Sequence, residues 1–206
     1  MENGQPTAPR SRGAVRMSGQ ERREQLIRIG RQVFAERGYQ GTTIEEIAER
    51  ATISKPVVYE HFGGKDGLHA VIIDRAVQDL MGRLQRSLEP EHPYQAIEQT
   101  VEAFIRYVEE EEASFRVLVH DGPAGSGSSL PSVLADVASR AEGLLERQLV
   151  PRGYDKKMAP VLARALVGMV ALTAQWWLDA GHPARSEVTS NLVNLIWNGL
   201  KDLDPT

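Results

Sequence analysis

The chain has 206 residues, 41% of them hydrophobic, and no cysteine. A chain without cysteine has no disulfide framework, thiolate metal site or cysteine nucleophile, and it is compatible with a reducing cytoplasm. No segment approaches the ~20 uninterrupted apolar residues of a membrane helix, and the N-terminus lacks the apolar core of a signal peptide. We therefore expect a soluble cytoplasmic protein that is long enough for two helical domains.

Charge is divided unevenly along the chain, whose formal net charge is −4. Residues 1–67 contain 11 basic and 9 acidic side chains, a net charge of +2. Residues 68–206 contain the other 13 of the 24 basic side chains and the other 19 of the 28 acidic side chains, a net charge of −6. The positive share lies in the N-terminal third, where we expect nucleic acid to bind.

Residues 1–19 are rich in proline, arginine, glycine and serine and contain one acidic residue. This composition predicts a disordered basic arm. Two roles stay open for it. It is a solubilising tail, or its arginines follow phosphates or enter an adjacent minor groove.

The first helix is predicted for about residues 20–37, with Gly38 as its C-terminal cap. Arg22 and Arg23 at its start are either phosphate contacts or part of a solvated face. The residues expected to face the core are Leu26, Ile27, Gly30, Val33 and Phe34.

Residues 42–62 have the pattern of two short helices joined by a tight turn, the layout of a DNA-binding helix-turn-helix. Thr42 or Thr43 is placed to cap the first helix near Ile44, and Glu46 stands at the capping-box spacing from Thr43. The second helix is expected to be capped by Ser54, with Pro56 in its first turn. The inward positions are Ile47, Ala48, Ala51, Ile53, Val58 and Phe62, and the outward positions are Lys55, Val57, Tyr59 and His61.

The outward positions have the chemistry of DNA recognition. The Lys55 amine can donate to guanine O6 or N7, and Val57 can contact a thymine methyl. The Tyr59 hydroxyl and the His61 ring suit phosphates, although Tyr59 can also be a half-buried packing aromatic. A metal role for His61 is disfavoured because no second ligand stands at the needed spacing. Lys65 opens the next helix beside free N–H groups, which predicts a phosphate contact.

The rest of the chain has the 3.6-residue apolar period of helices. A long helix to about residue 88 is followed by helices at about 94–112, a short one around Phe115, and others at about 131–149, 156–180 and 187–202. About nine helices and an all-α fold result. Residues 122–129 are a glycine-rich loop without the lysine of a phosphate loop. The acidic run at 109–112 is a solvated face, or it steers a cationic ligand or repels DNA.

The N-terminal segment resembles the DNA-binding domain of the TetR family of dimeric transcription regulators. The likeness covers roughly residues 20–70 and depends on the order and spacing of five elements. They are the helix end Phe34-Ala35-Glu36-Arg37-Gly38-Tyr39, then Thr42-Thr43-Ile44, Ile47-Ala48, Ser54 to Phe62, and Lys65-Asp66-Gly67-Leu68. Two residues depart from the pattern. Thr52 stands where a turn glycine is usual and is strained if its φ is positive. Glu45 stands where some relatives have a basic or polar DNA contact, so no DNA-contact role is carried over to it, and beside the groove it would repel phosphate.

The resemblance implies a homodimer that binds palindromic operator DNA through residues 20–67 and an effector through residues 68–206, without a metal or cofactor. The expected DNA contacts are Thr42, Thr43, Ser54, Lys55, Pro56, Val57, Tyr59, His61 and Lys65. The last two helices are expected to form the dimer interface, with Leu166, Val170, Trp177, Leu192, Leu195, Ile196 and Trp197. Candidate effector contacts, with plain packing as the alternative, are Phe104, Tyr107, Phe115, Met169, Thr173 and Trp176.

The implied function is transcriptional regulation, as a repressor released from DNA by a small, largely apolar effector. A ligand-stabilised activator or a co-repressed regulator of the same fold is the alternative. The residues 176–180 and the Ser-Lys-Pro-Val sequence are similar to actinobacterial regulators of lipid metabolism, which suggests an acyl-type ligand. An enzyme using His120 and Asp121 is disfavoured because no serine stands in a nucleophile elbow. A sequence-indifferent DNA binder is disfavoured by the acidic net charge.

Overall fold

The structure is a computed structural model that describes residues 17–87, 92–119 and 130–201. Within these ranges the chain forms nine α-helices, a 3-10 turn at Val150–Arg152 and no strand, which confirms the all-α prediction. The helices are α1 (Gly19–Gly41), α2 (Ile44–Arg50), α3 (Lys55–Phe62), α4 (Lys65–Ser87), α5 (Pro93–Glu110), α6 (Glu112–Val119), α7 (Leu130–Leu149), α8 (Met158–Ala180) and α9 (Arg185–Lys201). Residues 1–16 of the predicted arm, His120, Asp121 and the loop at 122–129 lie outside the described residues. The arm was predicted to extend to residue 19, but Ser18 is the N-cap of α1 and Gly19 its first residue.

Helix α1 is fixed at both ends by its own side chains. The Ser18 hydroxyl accepts the Glu21 N–H, and the Glu21 carboxylate accepts the Ser18 N–H, so a complete capping box starts the helix. Gly38 has φ 66° and ψ 175°, which interrupts the helix at the predicted place, and one more turn follows. All five residues predicted to face the core are buried.

Helix α4 joins the N-terminal helices to the rest of the molecule. It packs against α1 and α3 near its start and against α5, α6 and α7 further along. Its buried stripe includes Leu68, Ile72, Ala76, Leu80 and Leu84. One continuous helix therefore contacts both halves of the chain.

The acidic run at the end of α5 is paired with arginines. Glu110 accepts from Arg83 of α4 at 2.7 Å, and Glu111 accepts from Arg31 of α1 at 3.1 Å. Arg31 also donates to the buried Ser114 hydroxyl at 3.0 Å. These contacts join α1, α4 and α6, so the run is more than a solvated face.

Candidate DNA-binding surface and effector cavity

Helix α2 begins at Ile44, as predicted, but its cap is half of the expected box. The Thr43 hydroxyl accepts the Glu46 N–H at 3.2 Å. The Glu46 carboxylate accepts instead from Arg50 at 2.6 Å. Thr42 is 1% exposed and its hydroxyl donates to the Gly38 carbonyl at 2.7 Å. Its buried side chain therefore bonds to the end of α1, and we withdraw it from the DNA contacts.

The turn between α2 and α3 contains the strain that the sequence suggested. Thr52 has φ 56°, and it is the one residue other than glycine with positive φ among those described. A β-branched side chain is unfavourable in this region. Ser54 occupies the N-cap position of α3 as predicted, yet its hydroxyl makes no capping hydrogen bond. The hydroxyl is therefore not used within the helix end.

Helix α3 presents a short exposed face. Tyr59 is 54% exposed, which excludes the alternative of a half-buried packing aromatic. Lys55 is exposed beside it, whereas Val57 and His61 are half-buried. The Lys55 amine donates to the carboxylate of Glu45 in the first turn of α2. The face that we expected to contact bases therefore contains an ion pair.

Lys65 and Arg23 have contacts within the protein that the sequence did not indicate. The Lys65 amine donates to the carbonyls of Tyr39 and Thr42 at 2.9 and 3.1 Å and lies over the Tyr39 ring. The Arg23 guanidinium donates to the His61 carbonyl at 2.8 Å and lies over the Phe62 ring, 4.4 Å from its centre. Both cations join helices. The predicted phosphate contact of Lys65 would compete with two carbonyls, and we do not retain it.

The end of α3 lies very close to the start of α4. Gly63 ends α3 with φ 73° and donates its N–H to the Tyr59 carbonyl at 2.7 Å. A Cβ atom added to Gly67 would lie 1.9 Å from the Phe62 carbonyl oxygen, well inside van der Waals contact. Gly67 therefore sets how closely α4 approaches α3, and with it the orientation of the exposed face.

A cavity of about 500 Å³ lies between α4, α5, α7, α8 and α9. Its wall is mainly aliphatic, with Thr100, Arg147 and Gln148 among its polar residues. Leu84 of α4 forms part of the wall. The volume lies within the range of small-molecule sites, which is about 300–1,000 Å³.

Five of the six predicted effector contacts do not line this cavity. Phe104 does line it. Tyr107 and Phe115 are fully buried core residues, with the Tyr107 hydroxyl 3.3 Å from the Ala76 carbonyl. Trp176 is 56% exposed on the outer face of α8. Met169 and Thr173 are partly buried on α8 away from the cavity wall. Helical period alone did not separate the cavity side of α8 from its other sides.

The predicted dimer contacts are also divided by the structure. Leu166, Val170 and Ile196 line the cavity, and Trp177 and Leu192 are buried within the protomer. Trp197 packs edge to face on Tyr94. Leu195 remains available, at 59% exposed. Most of these apolar residues therefore have partners inside one chain.

The outer face of α8 supplies apolar residues that lack such partners. By length and composition it is the one described helix long and apolar enough to cross a membrane, and only 22% of its most apolar stretch is buried. Val161, Leu172 and Trp176 are 57%, 69% and 56% exposed. Ala165 and Gly168 fall on the same stripe at intervals of three and four residues, as on one helix face.

Comparison with protein families identifies the chain. Residues 26–72 match the model of bacterial regulatory proteins of the tetR family, and residues 93–199, more than half of the chain, match the tetracyclin repressor-like C-terminal domain. The chain belongs to the TetR family. The first match includes α2 and α3, and the second includes every residue of the cavity wall except Leu84.

Individual TetR family members support this assignment over nearly the whole length. The HTH-type transcriptional activator FasR of Mycolicibacterium smegmatis is 29% identical over 202 residues, 95% of this chain and 90% of the relative. A TetR-like regulator from Rhodococcus sp. RHA1 superposes with a TM-score of 0.71 at 26% identity, covering 91% of this chain and all of that one. A tetR-family regulator from Streptomyces coelicolor gives 0.66 at 28% identity, covering 87% and 80%.

Three features of this TetR family protein were not predicted from its sequence. The Glu45 ion pair needs two residues ten positions apart to meet, which helical period does not indicate. The Arg31 contact with Glu111 joins helices distant in the chain. The closeness of α4 to Phe62 did leave a signal, because Gly67 is an unfavourable residue inside a helix and often marks a close approach.

Proposed function

We propose that this protein is a dimeric transcription regulator whose affinity for a palindromic operator changes when a largely apolar effector occupies the cavity. The exposed face of α3 is the observation that most supports it. Residues 20–67 form the DNA-binding part and residues 68–206 the effector-binding and dimerisation part. A protein that acts on chromosomal DNA works in the bacterial cytoplasm.

The proposed DNA contacts lie at the starts of α2 and α3 and along α3. Lys55 and Val57 face bases, and Tyr59 and His61 face phosphates. The remaining contacts are Thr43, Ser54 and Pro56. The α3 helix has only 8 residues, which is enough to contact about four base pairs. A second copy is needed to distinguish one site from the rest of a genome.

The proposed dimer interface is the exposed apolar stripe of α8 together with Leu195 of α9. Water-exposed Leu172 and Trp176 lie on the same face as two small residues, Ala165 and Gly168. Adding a Cβ to Gly168 meets no atom within 4 Å in the protomer. Small residues between large ones let a second helix approach closely. A two-fold pair then places its α3 helices about 34–36 Å apart, on one face of the duplex.

The proposed effector is an apolar molecule, with an acyl chain as the model compound. The cavity wall is mostly aliphatic, so an acyl chain is bound by burial rather than by hydrogen bonds. Leu84 of α4 forms part of the cavity wall, and α4 begins next to α3. A shift of α4 on effector binding therefore changes the spacing of the two α3 helices. Coupling of about 1–3 kcal/mol changes operator affinity about 5- to 150-fold.

The sign of this response distinguishes two candidate functions. A repressor leaves its operator when the effector binds. The relative that matches over 95% of this chain has the name of a transcriptional activator. That resemblance favours an activator as the second candidate, in which the effector strengthens operator binding or promotes transcription from it.

Operator selection followed by effector titration tests the proposal. Duplexes are selected from a random library with wild-type protein, and affinity for the winner is measured with and without fatty acids and their thioesters. We expect one palindrome and a change in affinity with the effector. Ala141→Leu, which adds volume to the cavity wall, should remove that change, and Ala135→Leu on the exposed face of α7 should retain it. Selection of no sequence, or equal affinity with and without every ligand, would contradict the proposal.

A further inference from the structure

We propose that Glu45 is a specificity-determining residue of the DNA-binding surface. It positions the Lys55 ammonium and repels phosphate, so that α3 binds poorly to DNA that offers no base acceptor to Lys55. The inference rests on the proposed function, because it assumes that the exposed face of α3 enters a DNA groove.

The two side chains meet across the helix-turn-helix. Glu45 lies in the first turn of α2, where the N-terminal end of the helix favours a carboxylate. Lys55 is the first residue of α3. The Lys55 amine donates to the Glu45 carboxylate, while 52% of the lysine side chain and 60% of the glutamate side chain stay exposed. The pair is therefore on the surface that DNA would contact.

The hydrogen bond from Lys55 lowers the pKa of the Glu45 carboxyl below its usual value. Glu45 is therefore charged at neutral pH. An exposed ion pair is weak and exchanges easily with solvent or another partner. Glu45 can thus orient the Lys55 ammonium and still leave it available to an acceptor on DNA.

The charges around this pair make Lys55 the main positive group that residues 42–62 offer to DNA. Residues 42–62 contain two basic side chains, Arg50 and Lys55, against four glutamates, so the segment has a net charge of −2. Arg50 is held by Glu36 and Glu46 at 2.7 and 2.6 Å. Lys55 is therefore the single lysine or arginine of this segment left to meet DNA, and its present partner is an acid.

Random DNA and an operator place different demands on the pair. On random DNA, a phosphate that accepts from Lys55 lies close to the Glu45 carboxylate, which repels it because both are negatively charged. On an operator with guanine at the right position, the ammonium has three N–H groups. It can donate to guanine O6 or N7 while it keeps its bond to Glu45. Glu45 therefore weakens random binding more than operator binding.

Glu45→Gln is the test, with Glu49→Gln as a matched control. Glu49 is an exposed carboxylate four residues further on the same helix, so both variants remove one negative charge. Affinities are measured for the duplex selected by wild-type protein and for a scrambled duplex of the same composition. We expect Glu45→Gln to raise scrambled-duplex affinity about 5-fold and operator affinity less than about 2-fold. The salt slope on the scrambled duplex should increase by about one.

The control and a second background separate positioning from net charge. Glu49→Gln should change scrambled-duplex affinity by less than about 2-fold. In a Lys55→Ala background, Glu45→Gln should no longer change the preference for guanine. Equal effects of the two glutamine variants would overturn the inference, as would an unchanged ratio of operator to scrambled affinity in Glu45→Gln.

Two other results have distinct meanings. Weaker operator binding by Glu45→Gln with unchanged scrambled binding would overturn the inference and indicate that the carboxylate itself accepts a bond from cytosine. A wild-type protein that binds both duplexes equally would refute the proposed function. The failure of each idea is therefore recognisable.

Discussion

The helix-turn-helix region and the helices around the cavity share an apolar core but differ in their other contacts. Helices α1, α3 and α4 also meet through directed polar contacts, such as Lys65 to two carbonyls at the end of α1 and Arg23 to the His61 carbonyl, and through a glycine that permits close approach. Helices α5, α7, α8 and α9 surround a mainly aliphatic cavity. Directed contacts fix one geometry, whereas an apolar wall tolerates repacking. The first region suits a fixed DNA-binding surface, and the second suits a ligand-dependent change.

Breaking the proposed dimer should have the largest effect, because it removes one of the two proposed DNA-binding surfaces. Leu172→Glu places a charge at the most exposed large apolar residue of α8. Burying that charge in an apolar interface is unfavourable, so we expect monomers and at least about 100-fold weaker operator binding. Sedimentation velocity and operator titration measure both effects.

Ala135→Glu is the control for charge alone, since Ala135 lies on the exposed side of α7. It should leave the dimer and its operator affinity unchanged. A Leu172→Glu variant that still sediments as a dimer would show that the interface lies elsewhere than on the α8 stripe.

The geometry of α3 should be the next most sensitive feature. Gly67→Ala brings a methyl group to 1.9 Å from the Phe62 carbonyl oxygen, so the backbone must move. We expect destabilisation of about 1–3 kcal/mol, typical of overpacking, and loss of operator binding because α3 is displaced. Thermal unfolding and operator titration are the measurements.

Gly82→Ala is the matched control in the same helix. A Cβ at Gly82 has as its nearest contact an arginine side-chain nitrogen at 3.7 Å. Alanine in a helix interior is favoured over glycine by about 0.5–1 kcal/mol, so this variant should be more stable and bind DNA normally. Similar losses in both variants would show that α4, rather than its contact with α3, is responsible.

The structure of the helix-turn-helix region could be predicted from the sequence in more detail than that of the region around the cavity. The start of α2 at Ile44, the break at Gly38 and the exposure of Lys55 and Tyr59 were predicted correctly. Caps and glycines act through the local backbone, so a short stretch of sequence contains the information needed. The contacts of Lys65 could not be predicted in this way, because the carbonyls that it meets belong to another helix.

For the region around the cavity, the sequence predicted the helices, but most side chains lie elsewhere than on the surfaces expected for them. Helix α8 is apolar around most of its circumference, so its sequence pattern does not tell whether Leu166 or Trp176 faces the interior of the protein. In the structure Leu166 lines the cavity and Trp176 is exposed. Which side faces inward depends on the positions of α5, α7 and α9. That tertiary information is absent from the period of a single helix.

Relieving the turn strain should have a smaller effect and should increase stability. Thr52→Gly removes a β-branched residue from φ 56°. A non-glycine residue held in this region costs about 1–3 kcal/mol, and the entropy of glycine in the unfolded chain offsets part of that. We expect a gain of about 1 kcal/mol in the free energy of unfolding, measured with denaturant. Thr43→Gly is the control, because Thr43 has φ −121° and is not strained. Its free energy of unfolding should decrease by about 0.3 kcal/mol. A loss of stability in Thr52→Gly would mean that the threonine makes compensating contacts.

The pH dependence of His69 should be the smallest effect. His69 is 2% exposed and packs edge to face on Phe34 and Tyr39, and its Nδ1 has no hydrogen-bond partner. Burial lowers the pKa of the imidazole, more than Asp66 raises it. As the pH falls below about 6.5, His69 is therefore protonated in the unfolded protein before it is protonated in the folded protein. The free energy of unfolding decreases from that pH downwards. His69→Phe keeps an aromatic ring and removes the titrating group, so its stability should fall less between neutral pH and the mildly acidic range. Denaturant unfolding curves at each pH measure the free energy of unfolding of both proteins. An equal fall in that free energy with pH for both would show that His69 does not contribute.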